Sequence, residues 1–389
     1  MLRARPYRLL LPSLLLLALG ACADRGPTLV APGGPALDLF GGHIRWVAHT
    51  GSDVGDCTVS PCRTINYAIG QASVGDSVSV GPGTYRETVI VMKRLSLVGH
   101  DAVVDATGQT AQPNGFFISG PGAEGSSVSG FFIENAGLEG IFVLHTARIT
   151  IQNNVLVNND AYGPLNPLCV AQPSDCGEAL HLQSVVNSMV RNNIVRNNIG
   201  GILLTDENGP TYGNTITGNM VLNNTKDCGI TLASHYFSLT AVATPSVGGV
   251  YRNTVTNNTS NGNGAAGIGV FAGPPGAAAW SNVVSGNTAM NNGEGGIMIH
   301  SHTPLQNVNN NVVTNNTLSG NGIDPDNPND DAPTGISIFS AVIPIPFTVV
   351  SLNQISNEHY GINSTNAVTL SGLNTNVFAA SVAVPTSIH

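Results

Sequence analysis

The sequence predicts an all-β chain wound as a parallel β-helix, on three observations. First, a unit of the form aliphatic-polar-x-Asn recurs at Ile151–Asn154, Val190–Asn193, Ile216–Asn219, Val255–Asn258, Val284–Asn287, Val313–Asn316 and Val350–Asn353. The aligned Asn residues are separated by 39, 26, 39, 29, 29 and 37 positions. A second element, Gly-Ile, keeps its place between these units at Gly140, Gly201, Gly229, Gly267, Gly296, Gly335 and Gly361, and Ala179-Leu180 fills the same place in one unit. A repeat of this length is the signature of a solenoid. Second, the apolar runs are four to six residues long with period two, and no 3.6-residue stripe persists, which excludes helical repeats. Third, Gly makes up 46 of 389 residues while charged residues are 10% and aromatics 5%, a composition of turns and short strands rather than of disorder. Stacked at the inter-strand spacing of about 4.8 Å per coil, the Asn residues would form a vertical hydrogen-bonded ladder. Asn suits a tight corner because it tolerates the left-handed conformation and its amide both donates and accepts.

Taken from the amino terminus, residues 1–21 are an export signal: Arg3, Arg5 and Arg8 precede an apolar run, Leu9 to Leu19, too short to span a bilayer. The run ends in Leu19-Gly20-Ala21-Cys22, which resembles the bacterial lipobox. That resemblance implies cleavage before Cys22, acylation of its sulfur, and a lipid-anchored protein of the cell envelope, at the outer membrane or cell surface. Loss of residues 1–21, with three Arg and no acid, takes the formal charge from −9 to −12. A chain this acidic excludes nucleic acid as a partner. Residues 22–42, rich in Gly and Pro, read as a tether.

Residues 43–105 form an amino-terminal cap and the first coils. Apolar residues at 65, 68, 69 and 72 predict a short amphipathic helix covering the open end of the core. Pro82-Gly83-Thr84-Tyr85 reads as a turn, with strands at 78–80, 89–91 and 95–98. Cys57 with Cys62, and Cys169 with Cys176, are close pairs suited to local disulfides in an oxidising compartment, and Cys228 is left as a small buried side chain. Residues 106–380 are the solenoid.

Trp46-Val47-Ala48, Gly51-Ser52-Asp53, Pro61-Cys62-Arg63-Thr64-Ile65, Gly75-Asp76 and Gly81-Pro82-Gly83-Thr84-Tyr85 together resemble the opening of secreted right-handed parallel β-helix proteins. These pectate-lyase-like proteins include polysaccharide lyases, epimerases and the carbohydrate-binding and sugar-hydrolase domain. The resemblance covers roughly residues 43–375 and implies a right-handed coil with a polysaccharide partner. It says little about activity, since one scaffold hosts many sites. The Asp-Pro-His-Asp run of alginate epimerases and the basic cluster of the lyases do not occur.

Aligning the Gly-Ile strands stacks Phe142, His181, Leu203, Thr231, Gly269, Met298 and Ser337 in one outward column. A second column holds Leu144, Gln183, Thr205, Ala233, Phe271, His300 and Phe339. Asp206, Glu207, His235 and His302 follow at strand ends, and Asp227 precedes a strand, so scarce charge gathers on one face. Here His235 is the expected acid/base, with Asp206, Glu207 and Asp227 as charge partners. His181, Gln183, Lys226, Tyr236, His300 and His302 are expected to bind substrate, and Lys226 is the best-placed cation. His300 and His302, two apart in a strand, point the same way and form a candidate pair of metal ligands near Glu294 or Asp227. The loop with Asp324, Asp326 and Asp330 offers oxygens suited to calcium, the one cofactor the sequence suggests. Insertions at 159–177 and 236–250 carry Tyr162, Tyr236 and Phe237, which with Tyr251 are candidates to stack on sugars. The expectation is a monomer that binds or processes a cell-surface polysaccharide, by lyase, epimerase or glycosidase chemistry on an acidic glycan. A non-catalytic adhesin or structural surface protein is the alternative.

Overall fold

The computed structural model describes residues 42–160 and 178–389. The export signal, Cys22, nearly all of the tether and Tyr162 lie outside these residues. What is described is an all-β right-handed parallel β-helix. Every strand pairing is parallel, and the strands stack into a 21-stranded and a 14-stranded sheet. Each full coil contributes three or four short strands, as in 254–256, 259–261, 268–272 and 279–280.

The register follows from what lies inside. Ile151, Val190, Ile216, Val255, Val284, Val313 and Val350 stack at zero or 1% exposure. On the wall that carries the Gly-Ile strands, Leu180, Ile202, Ile230, Ile268, Ile297 and Ile336 do the same. A one-residue slip would turn each of these columns out to solvent, so burial fixes the pairing.

The Asn ladder forms with the spacing read from the sequence. Asn154, Asn193, Asn219, Asn258, Asn287, Asn316, Asn353 and finally Asn376 are joined by Nδ2-to-Oδ1 bonds of 2.9–3.1 Å. Two more ladders hold the other corners: Ser188, Asn214, Asn253, Asn282 and Asn311, and the series Asn159, Asn198, Asn224, Asn263, Asn292, Asn321. One expectation is corrected. The ladder Asn residues are not left-handed; from Asn154 to Asn353 the residue before each one is, namely Asn153, Asn192, Gly218, Asn257, Gly286, Asn315 and Leu352. The left-handed residue turns the corner, which aims the next side chain inward, where its amide reaches carbonyls of neighbouring coils.

The cap helix runs Ile65–Gln71, with Thr64 as N-cap and Ile65, Ala68 and Ile69 buried. The Glu87 carboxylate accepts from the N–H groups of Ile65 and Asn66 at 2.8 and 2.9 Å. Of the two expected disulfides, Cys57 with Cys62 is formed among the described residues. The other is not among them: Cys169 lies outside the described residues, and Cys176 lies outside them as well. Cys228 is a buried free thiol. Gly83–Tyr85, read as a turn, is a strand pairing with Ala102–Val104.

Candidate functional site

The Gly-Ile strands place both outward columns in the register read from the sequence: His181 pairs with Phe142 and Leu203, Leu203 with Thr231, Gly269 with Met298, and Met298 with Ser337. They form the floor of a cleft of about 430 Å³, to which Leu203, Thr231, Ala233, Phe271 and Met298 contribute. A Cβ at Gly269 would lie 2.2 Å from the Phe271 ring that covers it, so any side chain there would displace that ring. One wall is built by the turns that precede the strands, with Lys226, Asp227, Ala265 and Glu294, and with Glu178 beside them. The other follows the strands, with His235, Gly273 and His302, and Asp326 joins from the long loop.

The first wall is a backbone column. Ala265 N–H donates to Asp227 O at 3.1 Å, and Glu294 N–H to Ala265 O at 3.2 Å. Asp227 and Glu294 are therefore two coils apart, about 10 Å between backbones, with only a methyl group between them. Burial, reinforced by the charges of Asp324, Asp326 and Asp227, pushes the Glu294 carboxyl up to about 7. Burial also raises Asp227, against the N–H of Cys228 at 2.6 Å and a bond from Glu178. Glu294 therefore keeps its proton at pH values where an ordinary carboxyl has lost it. Burial and the same two acids push the Cys228 thiol well up, which disfavours its thiolate.

On the opposite wall, His235 Nδ1 lies 2.6 Å from Glu207 Oε1, which orients the ring at the cleft edge. Asp206 is not a free charge partner for that ring. Its carboxylate accepts from His235 N at 2.6 Å, Tyr236 N at 3.1 Å, Ser234 Oγ at 2.9 Å and the N–H of Gly249. It is 1% exposed and ties both ends of the 235–249 loop to the sheet.

Several expected site residues lie elsewhere. His181 is buried, Nε2 2.8 Å from Thr205 Oγ1, with its ring stacked on Phe142. Gln183 is also buried. Neither is among the residues that line the cleft. Tyr236 lies against Gly248. Tyr251 is spent in a stack between Tyr212 and Trp280, with centroids 5.0 and 4.3 Å away. Phe237 is 62% exposed.

The acidic loop folds on itself rather than around an open oxygen cage. Asp324 accepts from Asp326 N, Ser337 Oγ and His300 Nε2. Asp330 accepts from Asp324 N, Asn363 Nδ2 and Thr334 Oγ1. With the oxygens of both carboxylates committed to protein donors, the expected calcium trio of Asp324, Asp326 and Asp330 does not converge. His300, at zero exposure, sits 2.7 Å from Asp324 Oδ2. The hydrogen bond to Asp324 and the negative charges of Asp324 and Asp326 outweigh its burial and raise it to about 9. His302 is lowered, first by burial and then by His300.

Glu294 as an acid in its own right, and Glu178, escaped the sequence reading. The alignment followed residues after each Gly-Ile pair, whereas Asp227, Ala265 and Glu294 all stand two positions before the Gly.

Residues 110–307 match the family model described as the right handed beta helix region. Among solved structures, the Azotobacter vinelandii mannuronan C-5 epimerase AlgE4 A-module is similar, with a TM-score of 0.55 and 14% identity over 80% of this chain and 88% of that one. The catalytic domain of a GH87 alpha-1,3-glucanase in complex with tetrasaccharides gives 0.52 and 17%, over 92% of this chain and 68% of that one. The Dettilon tailspike protein gives 0.52 and 14%, over 87% and 66%. These likenesses are of fold. No curated protein sequence matches the chain.

Proposed function

The chain belongs to the right-handed β-helix family, and from that premise we propose that its cleft binds and hydrolyses a polysaccharide. The observation that carries this reading is the pairing of Glu294 and Asp227 in one column of the cleft wall, with Glu294 holding its proton up to about 7. Glu294 is the general acid that protonates the departing glycosidic oxygen. Asp227 is the base that activates a water. Backbones about 10 Å apart let the carboxyl groups reach the roughly 6.5–9.5 Å that leaves room for that water in inverting hydrolysis. Ala265 between them leaves the space open. His235, held by Glu207, and Lys226 bind sugar hydroxyls across the cleft, and Leu203, Phe271 and Met298 offer an apolar floor to a sugar face. The glycan-active proteins among the structural neighbours support a polysaccharide as partner.

The cleft's charge narrows the chemistry. Glu178, Asp227, Glu294 and Asp326 face one Lys. Lyase or epimerase chemistry on a uronate needs positive charge for the developing anion, so the acidic glycan of the sequence reading gives way to a neutral one. Export and anchoring through Cys22 belong to the same proposal, which places the protein in the cell envelope.

The test is a panel of neutral and uronate polysaccharides, with reducing ends measured for the native chain, Glu294→Gln and Asp227→Asn. Release from a neutral glycan, lost in both variants, is expected. Binding without release would make the protein a binding module. Unsaturated products from a uronate would replace hydrolysis with elimination.

A further inference from the structure

The strand Ile297–Ser301 carries His300 into the wall behind the cleft, and His302 follows it at the rim. His300 Nε2 is held 2.7 Å from the Asp324 carboxylate, so Nδ1 is the nitrogen left to bind an ion, which would displace its proton. That Nδ1, fully buried, has no hydrogen-bond partner among the described residues, and neither has Nε2 of His302. Both nitrogens face the Asp326 carboxylate, Oδ2 standing 3.7 Å from the first and 3.4 Å from the second. All three atoms lie within 4.8 Å of one another. Bonds of 2.0–2.2 Å to a tetrahedral ion put its ligands roughly 3.3–3.6 Å apart, close to the two spacings to Asp326 Oδ2 of 3.7 and 3.4 Å. Phe271 and Phe339 flank His300, with centroids 5.2 and 5.9 Å away, and hold the ring in a dry setting.

We infer that His300 Nδ1, His302 Nε2 and the Asp326 carboxylate bind a divalent transition metal of the zinc class, with Asp324 as the outer partner that orients His300. Two imidazoles exclude a hard oxygen-seeking ion such as calcium. His302 and Asp326 line the cleft, so the ion's remaining position opens onto it. An outer carboxylate on a ligating imidazole is the usual device for fixing tautomer and ring angle. The inference stands apart from hydrolysis: the ion binds whether or not a glycan is cut.

The experiment strips the full chain with a chelator and titrates it with Zn²⁺ by calorimetry, with Ca²⁺ as comparison and Co²⁺ as a spectroscopic probe. Expected are one Zn²⁺ per chain, much weaker Ca²⁺, and visible d–d bands for Co²⁺. His302→Ala and Asp326→Ala should each lower affinity at least about 100-fold, and Asp324→Asn about 10–100-fold. His302 and Asp326 are partly exposed, and melting of the metal-free variants checks that they fold. Asp227→Asn should keep Zn²⁺ binding. Zn²⁺ binding equal in the native chain and the His302→Ala/Asp326→Ala double variant would overturn the site and leave an imidazole–carboxylate cluster only, as would Ca²⁺ binding as tightly as Zn²⁺.

Discussion

At Glu294, burial and three neighbouring carboxylates act in one direction, and the group stays protonated up to about 7. A general acid must carry its proton to work, so hydrolysis should fall as pH rises through about 7, roughly tenfold per pH unit beyond it. Glu294→Gln should lower turnover by about 10²–10⁴-fold with the fold intact. An alkaline limb of the pH–rate profile that stays put when metal-free Asp326→Asn removes a neighbouring charge would refute the assignment, because that change should move the limb to lower pH. Asp206→Asn behaves differently. It leaves donors from Ser234, His235, Tyr236 and Gly249 short of a full acceptor, so it should loosen the 235–249 loop and speed its proteolysis before it touches chemistry. Asp227, Lys226, His235 and His302 were legible as one face because charge is scarce and strand alternation is strict. The burial of His181, Gln183 and His300 was not, because a column's direction says nothing of what covers it. The role of Asp206 was hidden too, since its partners are backbone N–H groups that any sequence supplies.

The ladder Asn is the element on which each coil's corner depends. Asn219 Nδ2 donates to Val190 O and Asn258 Oδ1, while its Oδ1 accepts from Asn193 N and Nδ2. Asn219→Leu would strand several buried groups, each costing about 1–3 kcal/mol, so a loss of more than about 3 kcal/mol is expected in urea unfolding. The residue before the ladder position plays a different part. Leu352 holds φ 58° and is 53% exposed, where the corners before Asn154 to Asn316 of the same ladder use Asn or Gly. A left-handed side chain other than Asn or Gly costs about 1–2 kcal/mol, so Leu352→Asn should stabilise by about 1 kcal/mol, read as a higher urea midpoint. The spacing of the ladder was legible because identical corners demand identical residues. Which of two adjacent positions is left-handed was not, since Asn-Asn pairs at 153–154, 192–193, 257–258 and 315–316 satisfy either reading.

Across the whole molecule the perturbed acids fall into two groups, those raised by burial and those lowered by hydrogen bonds and neighbouring charge. Glu294 and Glu358 are raised to about 7, chiefly by burial, and Asp206, Asp227 and Asp330 are raised as well. A carboxyl that ionises later in the folded chain than in the unfolded one gives stability at low pH that is lost as pH rises through its folded value. For the two Glu residues that window runs from about 4.5 to about 7. His300, raised from 6.5 to about 9, gives stability below 6.5 that is lost as pH rises through 9. The Asp residues lowered by hydrogen bonds, among them Asp53, Asp76 and Asp105, give stability that is full above 3.8 and is lost only as pH falls below it, and His302 alone among the perturbed His opposes the trend. The metal-free protein should therefore melt highest near pH 4–5 and progressively lower toward pH 9. Glu358 isolates one contributor. It ends the Asn159-to-Asn321 ladder by accepting from Asn321 N and Nδ2, with bonds of 2.9–3.1 Å. Glu358→Gln keeps an acceptor oxygen there and removes the charge, so it should raise the melting temperature at pH 8 more than at pH 5 and flatten the slope between 4.5 and 7. An equal shift at both pH values would mean that the end of this ladder carries no buried ionisation.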